Sequence, residues 1–386
     1  MGGGAIPSMR GPRLASIDIM RGLVMMMMTV DHVRETFFLR WQVSDPMDVA
    51  QIDPGLFFSR LAAHFCAPMF VFLTGLSAWL YAHPASGPRP VTGFLVKRGL
   101  MLVALEISVI GVAWTGKIPP PVIYLQVIWV IGLAMIALTL LHRLPSPPLI
   151  GGALCIVFGH NLLTPIAFEP GSPAYIPWTI LHDRGFLLAQ GPLMIKVSYP
   201  LLPWIGVIVL GYATGPWYAS CIDPARRQRF LMYSGIIAVL LFLMLRVSNF
   251  YGETLPWTAG ETAMRTVMSF LNVKKYPPSL DFLLLTLGSG LVLLSRLETW
   301  NNRLLRGAAN FGSAPLFYYV LHLYLLLILQ KLLAWGLGTN DGNRYEFQSL
   351  WTIWLVSVLL LASLHAPVMA FARFKRKSTM AWVRYF

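Results

Sequence analysis

The stretch from Ser16 to Phe38, SIDIMRGLVMMMMTVDHVRETFF, decides the fold because its middle is as apolar as a lipid tail. Charged and titratable residues stand at the two ends of this apolar middle: Asp18 and Arg21 at one end, and Asp31, His32, Arg34 and Glu35 at the other. About 20 apolar residues in a helix span the hydrocarbon core of a bilayer. The stretch is therefore predicted to be a membrane helix that keeps an Asp-His pair most of the way across.

The composition of the whole chain extends this interpretation. Of the 386 residues, 56% are hydrophobic and 12% are charged, and the mean hydropathy is +0.63. A soluble domain carries about 25% charged residues. We therefore predict an all-α, polytopic membrane helical bundle that forms a single membrane-embedded domain over residues 1–386.

Ten segments are apolar and long enough to be transmembrane helices, and Pro/Gly clusters such as SGPRP, KIPPP and LPSPP separate them. The ten predicted helices are Ser16–Leu39, Phe57–Tyr81, Phe94–Trp114, Ile123–Leu141, Leu149–Phe168, Leu201–Tyr218, Phe230–Phe250, Leu280–Leu297, Gly312–Trp335 and Leu350–Phe371. The basic start of the chain resembles a signal sequence, but the apolar run after it is too long and no small-residue cleavage site follows. The first helix is expected to stay uncleaved.

The distribution of basic residues predicts the orientation. With the N-terminus in the cytoplasm and ten alternating spans, more than half of the 30 Lys and Arg residues fall on the inner side, as the positive-inside rule requires. Both termini are then cytoplasmic, with a lead over 1–15 and a basic tail over 373–386. The net charge of +14 is explained by this topology and by attraction to anionic membrane lipid, and not by nucleic-acid binding. A multi-pass protein of the bacterial plasma membrane is expected.

Several kinds of site are excluded by missing motifs. Cys66, Cys155 and Cys221 have neither the spacing of a zinc site nor that of a disulfide framework, so no metal is expected. The chain shows no phosphate loop, dinucleotide-binding glycine pattern, HExxH or GxSxG. No permanently bound cofactor is predicted.

The charges of the first helix can be placed by depth. His32 lies eleven residues after Arg21, which is close to three helical turns and about 16 Å along the axis, so the two share a face. Glu35 lies three residues beyond His32 on the same side. Ionisable groups inside a membrane usually face a cavity or a partner. One alternative is that Asp31 and Glu35 pair with Arg34 and only anchor the helix.

Other polar residues stand in apolar surroundings. Arg60 and His64 are i, i+4 neighbours on the second helix, at the predicted depth of His32. Arg98 and Glu106 of the third helix are interpreted as a structural pair. Scattered further candidates occur nearer the outer ends and in the middle of later helices: His160, Asn161, His182, Asp183, Arg184, Lys274, Lys275, Tyr276, Asp281, Tyr318 and His322.

Five segments resemble, in order, the bacterial relatives of heparan-alpha-glucosaminide N-acetyltransferase: RLASIDIMRGLVMMMMTVDHVRETFF, FCAPMFVFLTGLSAWL, YPLLPWIGVIVLGYATG, KYPPSLDFLLLTLG and NFGSAPLFYYVLHLYLL. The resemblance covers nearly the whole chain. It implies a multi-helix acyltransferase that carries an acyl group from cytosolic acetyl-CoA to an acceptor, commonly a sugar, across the membrane. The wider superfamily has an Arg-Gly low on its first helix and a functional His at the outer end, which Arg21-Gly22 and His32 match. Asp31 departs from the Asn of the heparan-acetylating branch, whose proposed catalytic His lies further along, so His64 is the alternative to His32.

The resemblance and the residues together assign roles. The predicted catalytic residues are His32 as general base, with Asp31 or Glu35 to hold the imidazole or balance its charge. The residues predicted to bind acyl-CoA are Arg21, Arg98, His322 and Tyr318. The residues predicted to bind the acceptor are His64, Arg60, Asn161, Lys275 and Tyr276. Four groups are candidates for polarising the thioester carbonyl or holding the acceptor: His322, Tyr318, Asn161 and Lys275.

The expected partners are membrane lipid, acetyl-CoA as co-substrate and a sugar or glycan acceptor, and a homodimer is left open. Direct transfer and an acyl-histidine intermediate are not separated by the sequence. The main alternative function is a proton-coupled transporter or flippase for a sugar or lipid-linked substrate, because intramembrane His and carboxylate groups also form proton relays. No second copy of the opening motif occurs, and this counts against transport.

Overall fold

The computed structural model describes residues 14–38, 44–300 and 302–386. The predicted cytoplasmic lead, 1–15, falls almost wholly outside these residues, as does the predicted end of the first helix at Leu39. Fifteen α-helices are present in the described part: α1 Ala15–Phe37, α2 Pro54–His64, α3 Cys66–Ala82, α4 Thr92–Leu105, α5 Gly111–Thr115, α6 Val127–Leu141, α7 Ser146–Gly159, α8 Tyr175–Leu181, α9 Leu202–Thr214, α10 Pro224–Ser248, α11 Ala263–Leu271, α12 Leu280–Leu297, α13 Arg303–Gly312, α14 Pro315–Leu337 and α15 Trp351–Lys377. Shorter helical turns are the π-helix Glu106–Ile110 and the 3₁₀ helices His160–Leu163, Gly215–Tyr218 and Ala381–Tyr385.

Six helical segments in the described chain are long and apolar enough to cross a membrane: Pro54–Ala82, Ser146–Leu163, Pro224–Ser248, Leu280–Leu297, Pro315–Leu337 and Trp351–Lys377. The protein is therefore a helical membrane protein. α1 has the length of a span but carries charged residues near both ends. The number of ten spans and the side on which each terminus lies stay predictions.

Each of the ten predicted segments contains a helix, and Leu280–Leu297 matches α12 at both ends. The second predicted helix is divided at Phe65 into α2 and α3. The third continues from α4 through the π-helix into α5. Three helices were not predicted, α8, α11 and α13, because they are short and lie in polar-leaning sequence.

A small sheet corrects the all-α prediction. The strands β1 Val122–Leu125, β2 Gly185–Leu188 and β3 Met194–Val197 lie in the order β1-β3-β2, with β1 parallel and β2 antiparallel to β3. The predicted helix Ile123–Leu141 was therefore wrong over its first residues. Its start, Val-Ile-Tyr-Leu, is rich in β-branched and aromatic residues, and its pairing partner is far away in the sequence.

The pairing predicted between Arg98 and Glu106 is not formed. Glu106 lies in the π-helix and is fully buried, and its Oε2 accepts the backbone N–H of Trp129 at 2.9 Å. Trp129 belongs to the first turn of α6, whose backbone N–H groups have no partner inside the helix. Glu106 therefore caps α6 and joins it to the α4–α5 segment.

α1 lies in the middle of the bundle and packs against α2, α3, α12, α13, α14 and α15. Its crossing with α13 is close because both helices have a glycine at the contact. A Cβ added to Gly22 would lie 1.9 Å from the Ala308 carbonyl oxygen, and one added to Gly312 would lie 1.8 Å from that of Asp18. α13 thus fixes the position of α1, which carries the polar residues of the site.

The outer surface of the bundle is apolar. α10 leaves Ile237, Leu240 and Val247 more than half exposed, and α14 and α15 leave Trp335 and Trp351 exposed. Since the helices satisfy their backbone hydrogen bonds internally, such faces can lie against hydrocarbon. The chain end folds back onto this bundle, where the ring of Tyr385 stacks 5.8 Å from that of Phe94 on α4.

Candidate active site

The centre of the site is a histidine pair that joins α1 to α14. His32 Nδ1 lies 2.7 Å from His322 Nε2, and the two rings stack with centroids 5.0 Å apart and planes 8° from parallel. His322 is fully buried, whereas His32 is half-buried. The sequence predicted both residues for the site, but it did not predict that they contact each other.

The hydrogen bonds of His322 determine which ring nitrogens carry protons. His322 Nδ1 lies 3.0 Å from the Tyr318 carbonyl oxygen, which can only accept, so Nδ1 is the protonated nitrogen of a neutral ring. Its Nε2 is then an acceptor, and His32 Nδ1 must donate to it. This assignment leaves the lone pair on His32 Nε2, and among the described residues no hydrogen bond reaches that nitrogen.

The buried hydroxyl groups of Thr29 and Tyr318 help to hold the histidine pair in place. Thr29 Oγ1 donates to the Met25 carbonyl oxygen at 3.0 Å, and the Tyr318 hydroxyl is hydrogen-bonded to Thr29 Oγ1. Because the single hydroxyl proton of Thr29 is given to Met25, Tyr318 is the donor in the second bond. Tyr318 is thereby fixed, and its carbonyl oxygen fixes His322. Thr29 was not predicted for the site, although a hydroxyl inside a Met-rich run was a usable signal.

Aromatic rings surround His32 on its open side. The Trp114 ring is T-shaped to it at 5.2 Å and the Tyr319 ring at 6.0 Å. Trp114 Nε1 and the Tyr319 hydroxyl are both buried without a hydrogen-bond partner in the part of the chain that the structure describes. These rings form an apolar wall with two polar atoms next to the imidazole.

The carboxylates of α1 make no hydrogen bond to the imidazole among the described residues, so the expected direct support is not formed, and their role in balancing its charge stays a prediction. Asp31 Oδ1 accepts from Arg34 at 2.9 Å and Oδ2 accepts from Arg60 of α2 at 2.7 Å. Glu35 Oε1 lies 3.3 Å from Arg34 and 3.5 Å from Arg60, and its side chain is 30% exposed. The alternative, that Asp31 and Glu35 pair with Arg34, is confirmed. Successive helix residues point about 100° apart, so Asp31 faces α2 while His32 faces α14.

The residues predicted to bind the acceptor separate into two kinds. Arg60 is committed to Asp31, and Asn161 Oδ1 accepts the Leu280 backbone N–H at 2.9 Å, which ties the end of α7 to the start of α12. His64 is buried with its ring edge against Phe282 at 5.4 Å, and its Nδ1 has no hydrogen-bond partner among the residues described. Arg60 and Asn161 therefore hold the site together.

The loop before α12 brings Lys275 and Tyr276 to the site. Asp45 accepts the backbone N–H groups of both residues, at 3.1 and 2.7 Å. The Tyr276 hydroxyl lies 3.2 Å from that of Tyr199, and burial together with Tyr276 raises the pKa of Tyr199 well above its usual value. The ammonium of Lys275 is close enough to interact electrostatically with Asp31 and His32.

A basic cluster lies at the other end of α1. Arg21 pairs with Asp18 at 3.2 Å and donates to the hydroxyl of Ser77 on α3. Arg98 of α4 is close enough to interact electrostatically with Arg21, and its Nε is buried without a hydrogen bond to any described residue. The structure therefore brings the two predicted arginines together. Ser77 was not predicted, and a small polar residue in an apolar helix was its only signal.

Two cavities lie near the ends of α1. One of about 160 Å³ is lined by residues that include Asp18, Asn310, Ser313 and Arg376. The other, of about 70 Å³, is lined by residues that include Glu35, Trp114, Gln330 and Arg344. Trp114 links the second cavity to His32, so the imidazole lies between openings at opposite ends of the helix.

The fold and site define a helical membrane protein with an available imidazole nitrogen at a buried polar centre. The sequence profile described as "Heparan-alpha-glucosaminide N-acetyltransferase, catalytic" matches residues 13–251, more than half of the chain. The chain belongs to this family, and it is a transferase of the membrane-embedded kind. A search of curated proteins found no match. His32, Arg21 and Arg98 lie inside the matched range, whereas Lys275 and His322 lie beyond it.

Proposed function

We propose that the protein moves an acetyl group from cytosolic acetyl-CoA to a hydroxyl or amine of a sugar or glycan on the outer side of the membrane. The observation that carries the proposal is the His32–His322 pair, because it leaves His32 Nε2 as a base with no partner among the described residues. General base catalysis by a positioned imidazole is the usual way to activate such an acceptor.

The donor binds from the basic end of α1. CoA is long and highly anionic, and Arg21 and Arg98 offer two cations and an unspent guanidinium N–H at one place. From Arg21 to His32 the helix rises about 16 Å, over which the pantetheine arm extends towards the imidazole. His322 and Tyr318 act on the donor side through their support of His32. A basic inner surface also raises the local concentration of an anionic substrate.

The transfer step follows from the proton positions. His32 Nε2 takes the proton of the acceptor hydroxyl or amine while that group attacks the thioester carbonyl carbon. The tetrahedral intermediate collapses, the carbon–sulfur bond breaks, and the imidazolium returns the proton to the CoA thiolate. In an acyl-histidine route, the same nitrogen would attack the thioester carbonyl as a nucleophile. The acetyl group would then pass from His32 to the acceptor with water excluded. Rapid quenching and peptide mass analysis separate the two routes by the presence or absence of acetyl-His32.

The same proposal includes the topology. Ten spans with both termini in the cytoplasm place Arg21 on the inner side and the Glu35 end of α1 on the outer side. α1, which packs against six other helices, is then a largely buried span. In a bacterial plasma membrane this orientation faces the cytosolic acetyl-CoA pool.

Donor binding is tested by the thermal unfolding of purified protein with and without acetyl-CoA. We expect acetyl-CoA to raise the Tm of the wild type and of His32→Ala, and to raise that of Arg21→Ala much less, since the arginine binds the donor and the imidazole reacts with it. If no acyl-CoA changes the Tm of the wild type, the donor is wrong, and flux measurements for the transporter alternative would replace transferase assays.

A further inference from the structure

Lys275 is a buried cation whose hydrogen-bonding capacity is unused. The residue is 4% exposed, and within the described chain its ammonium makes no hydrogen bond and no ion pair. Its Nζ lies 5.1 Å from the centre of the Tyr276 ring. An ammonium in such a buried residue that makes no hydrogen bond has donors available to a bound group.

The backbone around Lys275 is held in place. Asp45 accepts from the N–H groups of Lys275 and Tyr276, while Glu253 accepts from the N–H of Lys274 at 2.8 Å and from the Ser279 hydroxyl at 2.7 Å. These two carboxylates fix the loop from both sides. Both carboxylates accept hydrogen bonds from the loop, and among the described residues neither forms an ion pair with the Lys275 ammonium.

The charge of Lys275 acts on the reacting centre. It is close enough to interact electrostatically with His32, Asp31 and His64. The nearby carboxylates of Asp31 and Glu35 are already shared between Arg34 and Arg60. Lys275 therefore has no ion-pair partner of its own among the described residues.

The sequence offered three other polar groups as candidates for polarising the thioester carbonyl, and all three already have hydrogen-bond partners. Both ring nitrogens of His322 are hydrogen-bonded, and the hydroxyl of Tyr318 is given to Thr29. Asn161 is oriented by the first turn of α12, and its amide carries no charge. Of these four candidates, Lys275 is the one that carries a charge and has N–H donors without a hydrogen bond.

We propose that Lys275 is a catalytic residue, whose ammonium binds the oxyanion that forms on the acetyl carbonyl during transfer. This inference rests on the proposed acetyltransferase function. The acceptor atom adds to the carbonyl carbon, the C=O electron pair moves to oxygen, and the Lys275 ammonium stabilises that negative charge. When the carbon–sulfur bond breaks, the pair returns to the carbonyl and the lysine is unchanged. In a site of low dielectric constant such a cation acts far more strongly on the transition state than it would in water.

The test compares Lys275→Met with Lys274→Met in the steady-state transfer of radiolabelled acetyl groups from acetyl-CoA. The acceptor is glucosamine or another simple sugar that the wild type acetylates. Lys274 is the matched control, since it lies in the same loop and only its backbone N–H contacts Glu253. Lys275→Arg keeps the charge. Acetyl-CoA-dependent Tm shifts confirm that each variant is folded and binds the donor. If Lys275→Met does not fold, Lys275→Gln takes its place under the same criteria.

We expect Lys275→Met to lose about 100-fold in kcat with little change in KM, and Lys275→Arg to recover part of the loss. Lys274→Met should behave as the wild type. Wild-type kcat in Lys275→Met, or a loss confined to the KM of the sugar, would overturn the inference, the second outcome assigning Lys275 to acceptor binding. A wild type that acetylates no sugar, in contrast, would mark the failure of the proposed function itself.

Discussion

At the scale of single residues, Asp31 and His32 have different roles, and this explains why a membrane helix keeps both. Asp31 forms ion pairs with two buried arginines, one from its own helix and one from α2. His32 points to the other side and meets His322. The first residue therefore stabilises the bundle, and the second is left for chemistry.

Replacing His322 should show that it orients His32. We expect His322→Ala to reduce kcat by about 100-fold, the scale of a positioned acid–base group, because the preferred tautomer of His32 is no longer fixed. His322→Gln should retain more activity, since the side-chain oxygen of Gln can accept a hydrogen bond from His32 Nδ1–H. The measurement is kcat against pH for both variants. Equal losses and unchanged profile shapes would show that His322 has only a packing role.

Replacing Asp31 should affect stability more than replacing Glu35. Asp31→Asn leaves two buried arginines without their full counter-charge, and we expect it to cost about 3 kcal/mol or more. Glu35→Gln removes a part-exposed carboxylate and should cost less than about 1 kcal/mol. Thermal unfolding in one detergent compares the two. A Tm for Asp31→Asn that matches the wild type would contradict this account.

The sequence predicted the polar residues of α1 but not their partners. A carboxylate and an imidazole in an apolar helix are conspicuous, which is why Arg21, Asp31, His32 and Glu35 were found. His322 is 290 positions away from His32, and nothing in local periodicity reports a contact of that kind. A hydrogen bond from Asp31 to His32 is not formed, because Asp31 pairs with Arg34 and Arg60 while the His32 ring meets His322.

At the scale of elements, the crossing of α1 and α13 is the contact that places the site. α13 has only ten residues, two of them arginine, so composition did not mark it, whereas each of the ten predicted segments contains a helix. β1 was missed because its strand partner β3 lies beyond three intervening α-helices. Local sequence thus predicts where the long apolar helices lie, and the elements between them depend on tertiary contacts.

Gly22→Ala should disrupt this crossing. The new Cβ would lie 1.9 Å from a backbone oxygen of α13, so one helix must move, and overpacking of this kind costs about 1–3 kcal/mol. Gly307→Ala is the matched control on α13, because its Cβ meets nothing within 4 Å and alanine favours a helix. We expect Gly22→Ala to lower the Tm and Gly307→Ala to keep or raise it. Equal Tm values would show that the close crossing is not a constraint.

At the scale of the whole molecule, the account depends on orientation, because donor and acceptor must approach from opposite sides. Cys221 is exposed and falls in a predicted inner loop, whereas the exposed Glu169 falls in a predicted outer loop. In intact cells, a membrane-impermeant maleimide should label Glu169→Cys and leave Cys221 unlabelled until the membrane is permeabilised. Labelling of Cys221 from outside would reverse the topology.

The central claim is that the protein transfers acetyl groups across the membrane and that His32 is required for the transfer, and one measurement tests it most directly. Radiolabelled acetyl-CoA is supplied to one side of proteoliposomes and glucosamine to the other, for the wild type, His32→Ala and the control His365→Ala, whose histidine is exposed on α15. The account predicts labelled N-acetylglucosamine with the wild type and His365→Ala, and none above background with His32→Ala. Undiminished transfer by folded His32→Ala would contradict it.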